Sequence, residues 1–277
     1  MVNDKIAIII RHAGEPTLAF LQKQVHFFFA RVPVEVISAG SFEQTLKLSY
    51  EKGLAIEATW IVMFDADILL SDSFVPLLAN AIKSTPDDAF GFSFRVWDRF
   101  YDAPKYRGVH VYKRRYLAEA LPYIPISASL RPETEVKQRM ARQGHAWVTY
   151  GNVVGLHDFF QRPEDIFAKM AMRAHRSSKD LDDLKTRFQL RSSEFDFRVA
   201  AAGIRYGESA ARSVITNFRG DYAQAFSESG LAQQNKTDVA LTQRKVNRML
   251  VNLLRSKVVW FYPFKNRWVL VKKAMDE

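Results

Sequence analysis

Residues 60–70 read WIVMFDADILL, and two acidic residues stand in the middle of this otherwise apolar run. The first part, Trp60–Phe64, has the uninterrupted apolar character of a strand that is buried on both faces of a sheet. Asp65 and Asp67 follow at the carboxyl end of that strand, which is the edge where open α/β sheets bind their ligands. Carboxylate oxygens suit Mg²⁺ or Mn²⁺ held jointly with substrate phosphates. The alternative for a lone D-x-D is a turn with a helix cap, and the buried strand before it favours the metal site.

The first half of the chain alternates short apolar runs with helical patterns, which is typical of an α/β fold. Strands are predicted at Ile6–Ile10, Val34–Ile37, Trp60–Phe64, Ala89–Phe94, Val109–Tyr112 and Ala146–Tyr150. Helices are predicted behind Glu15-Pro16-Thr17, through Phe42, Leu46, Tyr50 and Gly53, and along the stripe Phe74, Leu77, Leu78, Ala81 and Ile82. The sequence therefore predicts a sheet flanked by helices.

From Pro163 onward the strand signals disappear and the pattern becomes helical, with acidic residues directly behind the proline. Breaks between helices are predicted at Arg176–Ser178, Arg191–Ser193 and Ser227–Gly230. We therefore predict an α/β domain over residues 1–160 and a helical C-terminal region over residues 161–277.

The composition limits the kinds of site that the chain can build. Its 277 residues include no cysteine, so any metal must be held by carboxylates, imidazoles or carbonyls. No apolar stretch approaches the roughly 20 residues that cross a bilayer. The absence of cysteine and of a recognisable secretory leader predicts a cytoplasmic location.

The net charge of +10 is concentrated near the C-terminus, where residues 239–273 carry nine Lys/Arg and no Asp or Glu. The same segment contains an apolar helical stripe and a set of aromatic residues: Val246, Met249, Leu250, Leu253, Leu254, Trp260, Phe261, Tyr262, Phe264 and Trp268. Basic and aromatic residues together suit an anionic membrane surface, where each cation gains about 1 kcal/mol. The tail predicts either a peripheral contact with the inner face of a membrane or a helix packed on the α/β domain with a solvated basic edge.

The segment Asp65-Ala66-Asp67 behind its strand resembles the DXD motif of GT-A fold glycosyltransferases, closest in style to the family 2 enzymes. The resemblance implies a Rossmann-like GT-A domain with a mixed sheet. It also implies that Asp67 binds the metal that bridges the diphosphate of a sugar nucleotide. Asp65 would assist at the metal or the ribose, and Ala66 would lie with it in the nucleotide-sugar site.

Two later features of that family follow in the same order. Residues 132–144, PETEVKQRMARQG, are similar to an acidic pair followed by a helix with Arg and then Gly, which implies that Glu133 is the catalytic base. The family then has a strand and a histidine, which implies that His157 completes the metal site. A histidine behind an apolar run is also compatible with a purely structural role.

The N-terminal segments match the family less well. Arg11–Glu15 stands where the family has Pro-Thr-Tyr-Asn, and Ser38–Ser41 replaces an Asp-rich turn. These segments normally hold the base and the ribose, so the nucleotide is not fixed by the sequence. Arg11, at the carboxyl end of a strand, suits stacking on a base or pairing with a phosphate. A helix cap or a surface role is the alternative.

These features predict a hexosyltransferase that depends on Mn²⁺ or Mg²⁺ and inverts the anomeric centre. It would move a sugar from a UDP-sugar, or a GDP-sugar, to a hydroxyl of a glycan or lipid-linked acceptor, as in polysaccharide or lipopolysaccharide biosynthesis. The base would accept the proton of that hydroxyl, while the metal neutralises charge on the departing diphosphate.

The competing functions are a nucleotidyltransferase, a GT-A-like scaffold without activity, and a protein that binds an anionic surface or nucleic acid. The last of these leaves Asp65, Asp67, Glu133 and His157 unexplained. No nucleic-acid partner is therefore expected.

Overall fold

The structure is a computed structural model that describes residues 6–126, 129, 131–175, 180–210, 220–231 and 240–257. These residues divide into two compact units. The first unit comprises residues 6–99, 103–159 and 241–257. The second comprises residues 100–102 and the described parts of 160–240.

The first unit is built on one mixed sheet. Its strands, within the described residues, are β1 (Ile6–Arg11), β2 (Val34–Ile37), β3 (Trp60–Asp65), β4 (Ile68–Leu70), β5 (Gly91–Asp98), β6 (Ala103–Lys105), β7 (Val109–Lys113) and β8 (Trp147–His157). Their order is β2-β1-β3-β7-β5-β8-β4, with β6 paired to β5. β1 runs parallel to β2 and β3, and β5 runs parallel to β8, whereas the other pairs are antiparallel. The predicted fold class, a mixed sheet flanked by helices, is confirmed.

Helices account for most of the remaining described residues. They are α1 (Leu18–Phe28), α2 (Phe42–Ala55), α3 (Phe74–Ser84), α4 (Leu117–Ala120), α5 (Pro132–Arg142), α6 (Pro163–Ala174), α7 (Leu181–Leu190), α8 (Phe195–Ser209), α9 (Gly220–Glu228) and α10 (Gln243–Lys257). Short 3₁₀ turns, Arg114–Tyr116 and Leu121–Tyr123, flank α4. The three helices predicted behind Glu15-Pro16-Thr17, through Phe42 to Gly53 and along Phe74 to Ile82 are confirmed as α1, α2 and α3.

The strand β1 lies inside the sheet because its side chains are apolar on both faces. Ile8 and Ile10 pack with residues of α1 and α3, whereas Ala7 and Ile9 pack with residues of α2, α4 and α5. This alternation follows from the two-residue repeat of a strand. The carboxyl ends of β1 and β3 therefore meet at one edge of the sheet, where Arg11 pairs with Asp65.

Two short strands were not predicted, and two other strands are longer than predicted. β4 and β6 have three residues each, too few for a periodic signal. β5 continues to Asp98, and the predicted strand at residues 146–150 is joined to the following apolar run in the single strand β8. These extensions bring Asp98 and His157 to the ends of neighbouring parallel strands.

The second unit is helical, as predicted. α6 begins at Pro163, and the predicted break at Arg191–Ser193 separates α7 from α8. α9 ends inside the predicted break at Ser227–Gly230, and the break at Arg176–Ser178 lies outside the described residues. Phe167, Phe188 and Phe197 lie in one apolar core with side chains from α6 to α9.

The helix α10 belongs to the first unit, although the sequence analysis placed it in the C-terminal region. Val246 and Leu250 of its apolar stripe are buried, and the Gln243 side chain donates a hydrogen bond to the Leu70 carbonyl at 3.0 Å. The aromatic residues Trp260–Trp268 lie outside the described residues. Among the residues that are described, no helix has the length and apolar character needed to cross a bilayer.

Candidate metal centre

The loop from Asp65 to Asp67 connects β3 with β4, and hydrogen bonds hold its backbone. The Asp65 amide donates to the Gly108 carbonyl at 3.0 Å, and the Ala66 amide donates to the Arg11 carbonyl at 2.9 Å. The Ala66 carbonyl accepts from Thr17 Oγ1 at 2.6 Å, in a buried position. The loop is therefore fixed by the ends of neighbouring strands and by the residue before α1.

A glycine suits position 108, beside this loop, for two reasons. Its φ is +61°, in the left-handed region that favours glycine. A Cβ at residue 108 would also lie 2.7 Å from Cδ1 of Ile68, the first residue of β4. The absence of a side chain lets the chain before β7 pass close to the loop.

Asp67, His157 and Asp158 form a buried cluster at this edge of the sheet. Ile68 pairs with His157 across β4 and β8, so the residues before and after this pair become neighbours. One ligand atom from each member of the cluster lies within 4.8 Å of the others. His157 Nε2 lies 3.4 Å from Asp67 Oδ2.

The imidazole of His157 is surrounded by carboxylates on both sides. Its Nδ1 atom is hydrogen-bonded to Asp98 Oδ2 at 3.1 Å and lies 3.2 Å from Asp158 Oδ2. Burial alone would lower the pKa of the His157 imidazole, but Asp158, Asp67 and Asp98 outweigh it and raise this pKa above its usual value. Asp158 has a φ of +66°, which is uncommon for a residue with a side chain. This conformation accompanies the turn that carries its carboxylate back toward the cluster.

The donor set fits a divalent cation that accepts oxygen and imidazole nitrogen. Two carboxylates and one imidazole suit Mn²⁺ and are compatible with Mg²⁺, and a cation held by so few protein groups keeps positions for a substrate. The structure brings the predicted residues Asp67 and His157 together and adds Asp158. Asp65 lies outside the cluster. Asp158 was missed, although its place directly behind His157 in the sequence is a signal that could have indicated it.

Asp65 instead forms an ion pair with Arg11. Arg11 Nε and Nη2 lie 2.8 and 2.7 Å from Asp65 Oδ1, and Arg11 Nη1 lies 3.1 Å from Glu133 Oε1. The guanidinium is 3% exposed and also lies 5.5 Å from the centre of the Phe42 ring. Its contacts are thus internal, and its predicted part in nucleotide binding stays a prediction.

Glu133, in the first turn of α5, is held by four groups. Oε1 accepts from Arg11 and from the Tyr112 hydroxyl, whereas Oε2 lies 3.1 Å from His110 Nε2 and 3.8 Å from Lys137 Nζ. Burial alone would raise the pKa of the Glu133 carboxyl, but His110, Lys137 and Arg11 outweigh it and hold this pKa well below its usual range. The carboxyl is therefore ionised at neutral pH.

A chain of hydrogen bonds sets the orientation of the His110 ring. The indole Nε1 of Trp147 can only donate, and it lies 3.0 Å from Ser93 Oγ. The Ser93 hydroxyl is then left to donate to His110 Nδ1, at 2.7 Å. This arrangement assigns the proton of His110 to Nε2, which faces Glu133.

Lys137 is a second unusual group beside Glu133. Its Nζ lies 4.0 Å from the centre of the Trp147 ring and 3.3 Å from His110 Nδ1. Burial lowers the pKa of Lys137 to about 8, despite the opposing attraction of Glu133. The sequence predicts Glu133 as a site residue but not His110 and Tyr112, because their proximity depends on the packing of α5 against β7. Lys137 was also missed, although its place four residues after Glu133 on the same helix is a signal that could have indicated it.

No protein-family model matches the chain, and no curated protein matches it. Among solved structures, it is similar to the mannosyltransferase PcManGT from Pyrobaculum calidifontis, solved with GDP-Man and Mn²⁺, with 13% identity, a TM-score of 0.42, and coverage of 92% of this chain and 87% of that one. A glycosyltransferase involved in glycosylation of the major capsid of PBCV-1 matches with 10% identity and a TM-score of 0.40, over 57% of this chain and 94% of that one. CMP:2-keto-3-deoxy-manno-octonic acid synthetase, complexed with CTP, matches with 14% identity and a TM-score of 0.38, over 55% of this chain and 91% of that one. The identities and TM-scores are too low to carry a function from these proteins to this chain.

Proposed function

We propose that this protein is a metal-dependent glycosyltransferase that moves a sugar from a nucleoside-diphosphate sugar to a hydroxyl group. The observation that carries this proposal is the buried cluster of Asp67, His157 and Asp158 at the edge of the sheet where β1 and β3 end. Buried carboxylates are costly unless they are paired or bind a cation. Their position matches the place where open α/β sheets bind phosphorylated ligands.

The cluster would hold Mn²⁺ or Mg²⁺ together with the donor diphosphate. A divalent cation at this place supplies charge neutralisation for the departing diphosphate. Asp65 would remain beside the donor, since it lies on the same loop and its side chain is 30% exposed. Arg11 would act mainly by fixing Asp65, to which it is paired.

We retain Glu133 as the candidate base for the acceptor hydroxyl. It is ionised at neutral pH, and Arg11 connects it to Asp65. The contacts that keep it ionised also weaken it as a base, because a carboxylate with a low pKa holds a proton poorly. Glu133→Gln distinguishes a base from a group that only fixes Arg11.

The first experiment is a screen of UDP- and GDP-sugars with and without Mn²⁺, read by thermal shift and by release of nucleoside diphosphate. We expect a metal-dependent shift with one donor, and loss of that shift in Asp67→Asn. Asp88→Asn is the matched control, because it removes one negative charge from an exposed residue. If no donor gives a metal-dependent shift, the proposal fails. Release of pyrophosphate would indicate a nucleotidyltransferase, and binding without release would indicate an inactive scaffold.

The second experiment compares Glu133→Gln with Glu135→Gln, which lies two residues further along α5. If Glu133 is the base, its variant loses transfer and keeps the donor-dependent thermal shift, whereas the Glu135 variant keeps both. Loss of donor binding in Glu133→Gln would assign Glu133 to the arrangement of Arg11 and Asp65. The inverting outcome is tested separately, by the anomeric configuration of the product.

We also propose that the acceptor is borne on an anionic membrane. The supporting features are the exposed arginines of α10, Arg244, Arg248 and Arg255, and the basic and aromatic residues that follow them in the sequence. Because Val246 and Leu250 are buried in the first unit, a truncation should begin after residue 257 so that α10 is kept. Sedimentation with anionic liposomes should fall on that truncation, and unchanged sedimentation would remove the membrane proposal.

A further inference from the structure

A buried carboxylate, Asp98, lies behind His157 on the neighbouring strand. Asp98 pairs with His157 across the parallel strands β5 and β8, and the amide of Arg99 donates to the His157 carbonyl at 3.1 Å. The Asp98 side chain is 1% exposed, and its Oδ2 atom lies 3.1 Å from His157 Nδ1. The same oxygen lies 3.2 Å from Arg107 Nη1.

The two ring nitrogens of His157 face different groups. Nδ1 is hydrogen-bonded to Asp98 and also lies 3.2 Å from Asp158 Oδ2, whereas Nε2 faces Asp67 at 3.4 Å. An ionised carboxylate only accepts hydrogen bonds, so Asp98 requires the proton of the ring to be on Nδ1. In the neutral ring, which is the form that binds a metal, the lone pair of Nε2 then points toward Asp67.

We propose that Asp98 is a positioning residue for His157, and that Arg107 holds the Asp98 carboxylate in place. The proposal rests on the proposed function, because it assumes that Asp67, His157 and Asp158 hold a divalent cation. Asp98 fixes the ring and its tautomer from the side opposite Asp67. Contacts of this kind typically change metal affinity by about 10- to 100-fold when they are removed.

The test is Mn²⁺ binding to the full chain, measured from the electron paramagnetic resonance signal of free Mn²⁺. Asp98→Asn has nearly the same shape as the native residue but carries no charge, and Asp88→Asn is the control for loss of one negative charge. We expect the Kd for Mn²⁺ to rise about 10- to 100-fold in Asp98→Asn and less than about 2-fold in Asp88→Asn. Arg107→Met should weaken binding in the same direction by a smaller factor.

A double-mutant cycle separates positioning from direct ligation. In a His157→Ala background, Asp98→Asn should change the Kd for Mn²⁺ less than about 2-fold, because the ring that Asp98 positions is absent. An equal loss in both backgrounds would show that Asp98 acts without His157, and would overturn the inference. So would an unchanged Kd in Asp98→Asn.

Two further measurements keep these outcomes apart. Urea unfolding in the presence of a chelator identifies variants that bind poorly because they are unfolded, and Arg107→Met carries the test if Asp98→Asn does not fold. If the native chain binds no Mn²⁺, the metal site of the proposed function fails and the inference fails with it. The other case is that the native chain binds Mn²⁺, that Asp67→Asn loses this binding, and that Asp98→Asn keeps it. In that case only the inference about Asp98 fails.

Discussion

Replacement of Arg11 by methionine removes the cation that lies between Asp65 and Glu133, and we expect it to destabilise the first unit. Breaking a buried ion pair by removing one partner costs ~3–5 kcal/mol, because a charge is left without compensation. Two features place Arg11→Met near the lower end of that range. Asp65 is 30% exposed and can be hydrated, and Glu133 keeps its contacts with His110 and Lys137. We therefore expect a loss of about 3 kcal/mol in the free energy of unfolding.

Urea unfolding, followed by tryptophan fluorescence, measures this loss of stability in the first unit. The five tryptophans stand at positions 60, 97, 147, 260 and 268, so none of them falls within residues 160–240. The three tryptophans that the structure describes, at positions 60, 97 and 147, lie in the first unit, so their signal reports on that unit. This matters because a chain with two units need not unfold in one step.

The matched control is Lys52→Met on α2. Lys52 Nζ lies 3.7 Å from Glu35 Oε2, and both side chains are more than 40% exposed. Such surface pairs contribute about 0–1 kcal/mol. If Arg11→Met costs no more than this control, the contacts of Arg11 do not form a buried ion-pair network, and its assignment as the residue that fixes Asp65 is refuted.

Three other variants test the packing and the charges around the site. Gly155→Ala should lower the free energy of unfolding by about 1–3 kcal/mol and weaken Mn²⁺ binding, because the added Cβ would lie 2.3 Å from a carbonyl oxygen of β4. The control is Gly151→Ala in the same strand, which has open space around the added Cβ and should leave urea unfolding nearly unchanged. Thr17→Val should cost about 1–3 kcal/mol, since it leaves the buried Ala66 carbonyl without this hydrogen bond; an unchanged urea midpoint would contradict this. The folded-state pKa of Lys137 is about 8 and its ordinary value is 10.5, so the unfolded chain binds more protons between these values. The native chain should therefore gain stability relative to Lys137→Met as the pH rises from 8 toward 10.5, and a stability difference that does not change with pH would exclude the lowered pKa.

The central strands and the main helices could be predicted because local pattern and tertiary environment agree. Trp60–Phe64 is apolar throughout and is buried throughout, and the stripe from Phe74 to Ile82 corresponds to α3. By contrast, β4 is three residues long and is defined by its partner β8, which lies more than 80 residues further along the chain. No local pattern specifies such a pairing.

The residues of the candidate metal cluster could be predicted only in part for the same reason. Asp67 and His157 were identified from their order in the chain, but their proximity depends on the antiparallel pairing of β4 with β8. Asp98 could not be assigned from the sequence, because β5 was expected to end at Phe94. Ser93 and Arg95 interrupt the apolar residues before Asp98, whereas the run before Asp65 at the end of β3 is apolar throughout.

The separate positions of Asp65 and Asp67 show what a D-x-D motif can and cannot specify. On one continuous strand, residues two apart would point to the same face and both carboxylates would be available to one cation. Here β3 ends at Asp65 and β4 begins at Ile68, so the two acids belong to different strand pairs. Asp65 lies beside Arg11 of β1, whereas Asp67 lies beside the end of β8. The motif therefore joins two parts of the site, one that is fixed through Arg11 and Glu133 and one that suits a cation, and a change in the loop between them would disturb both.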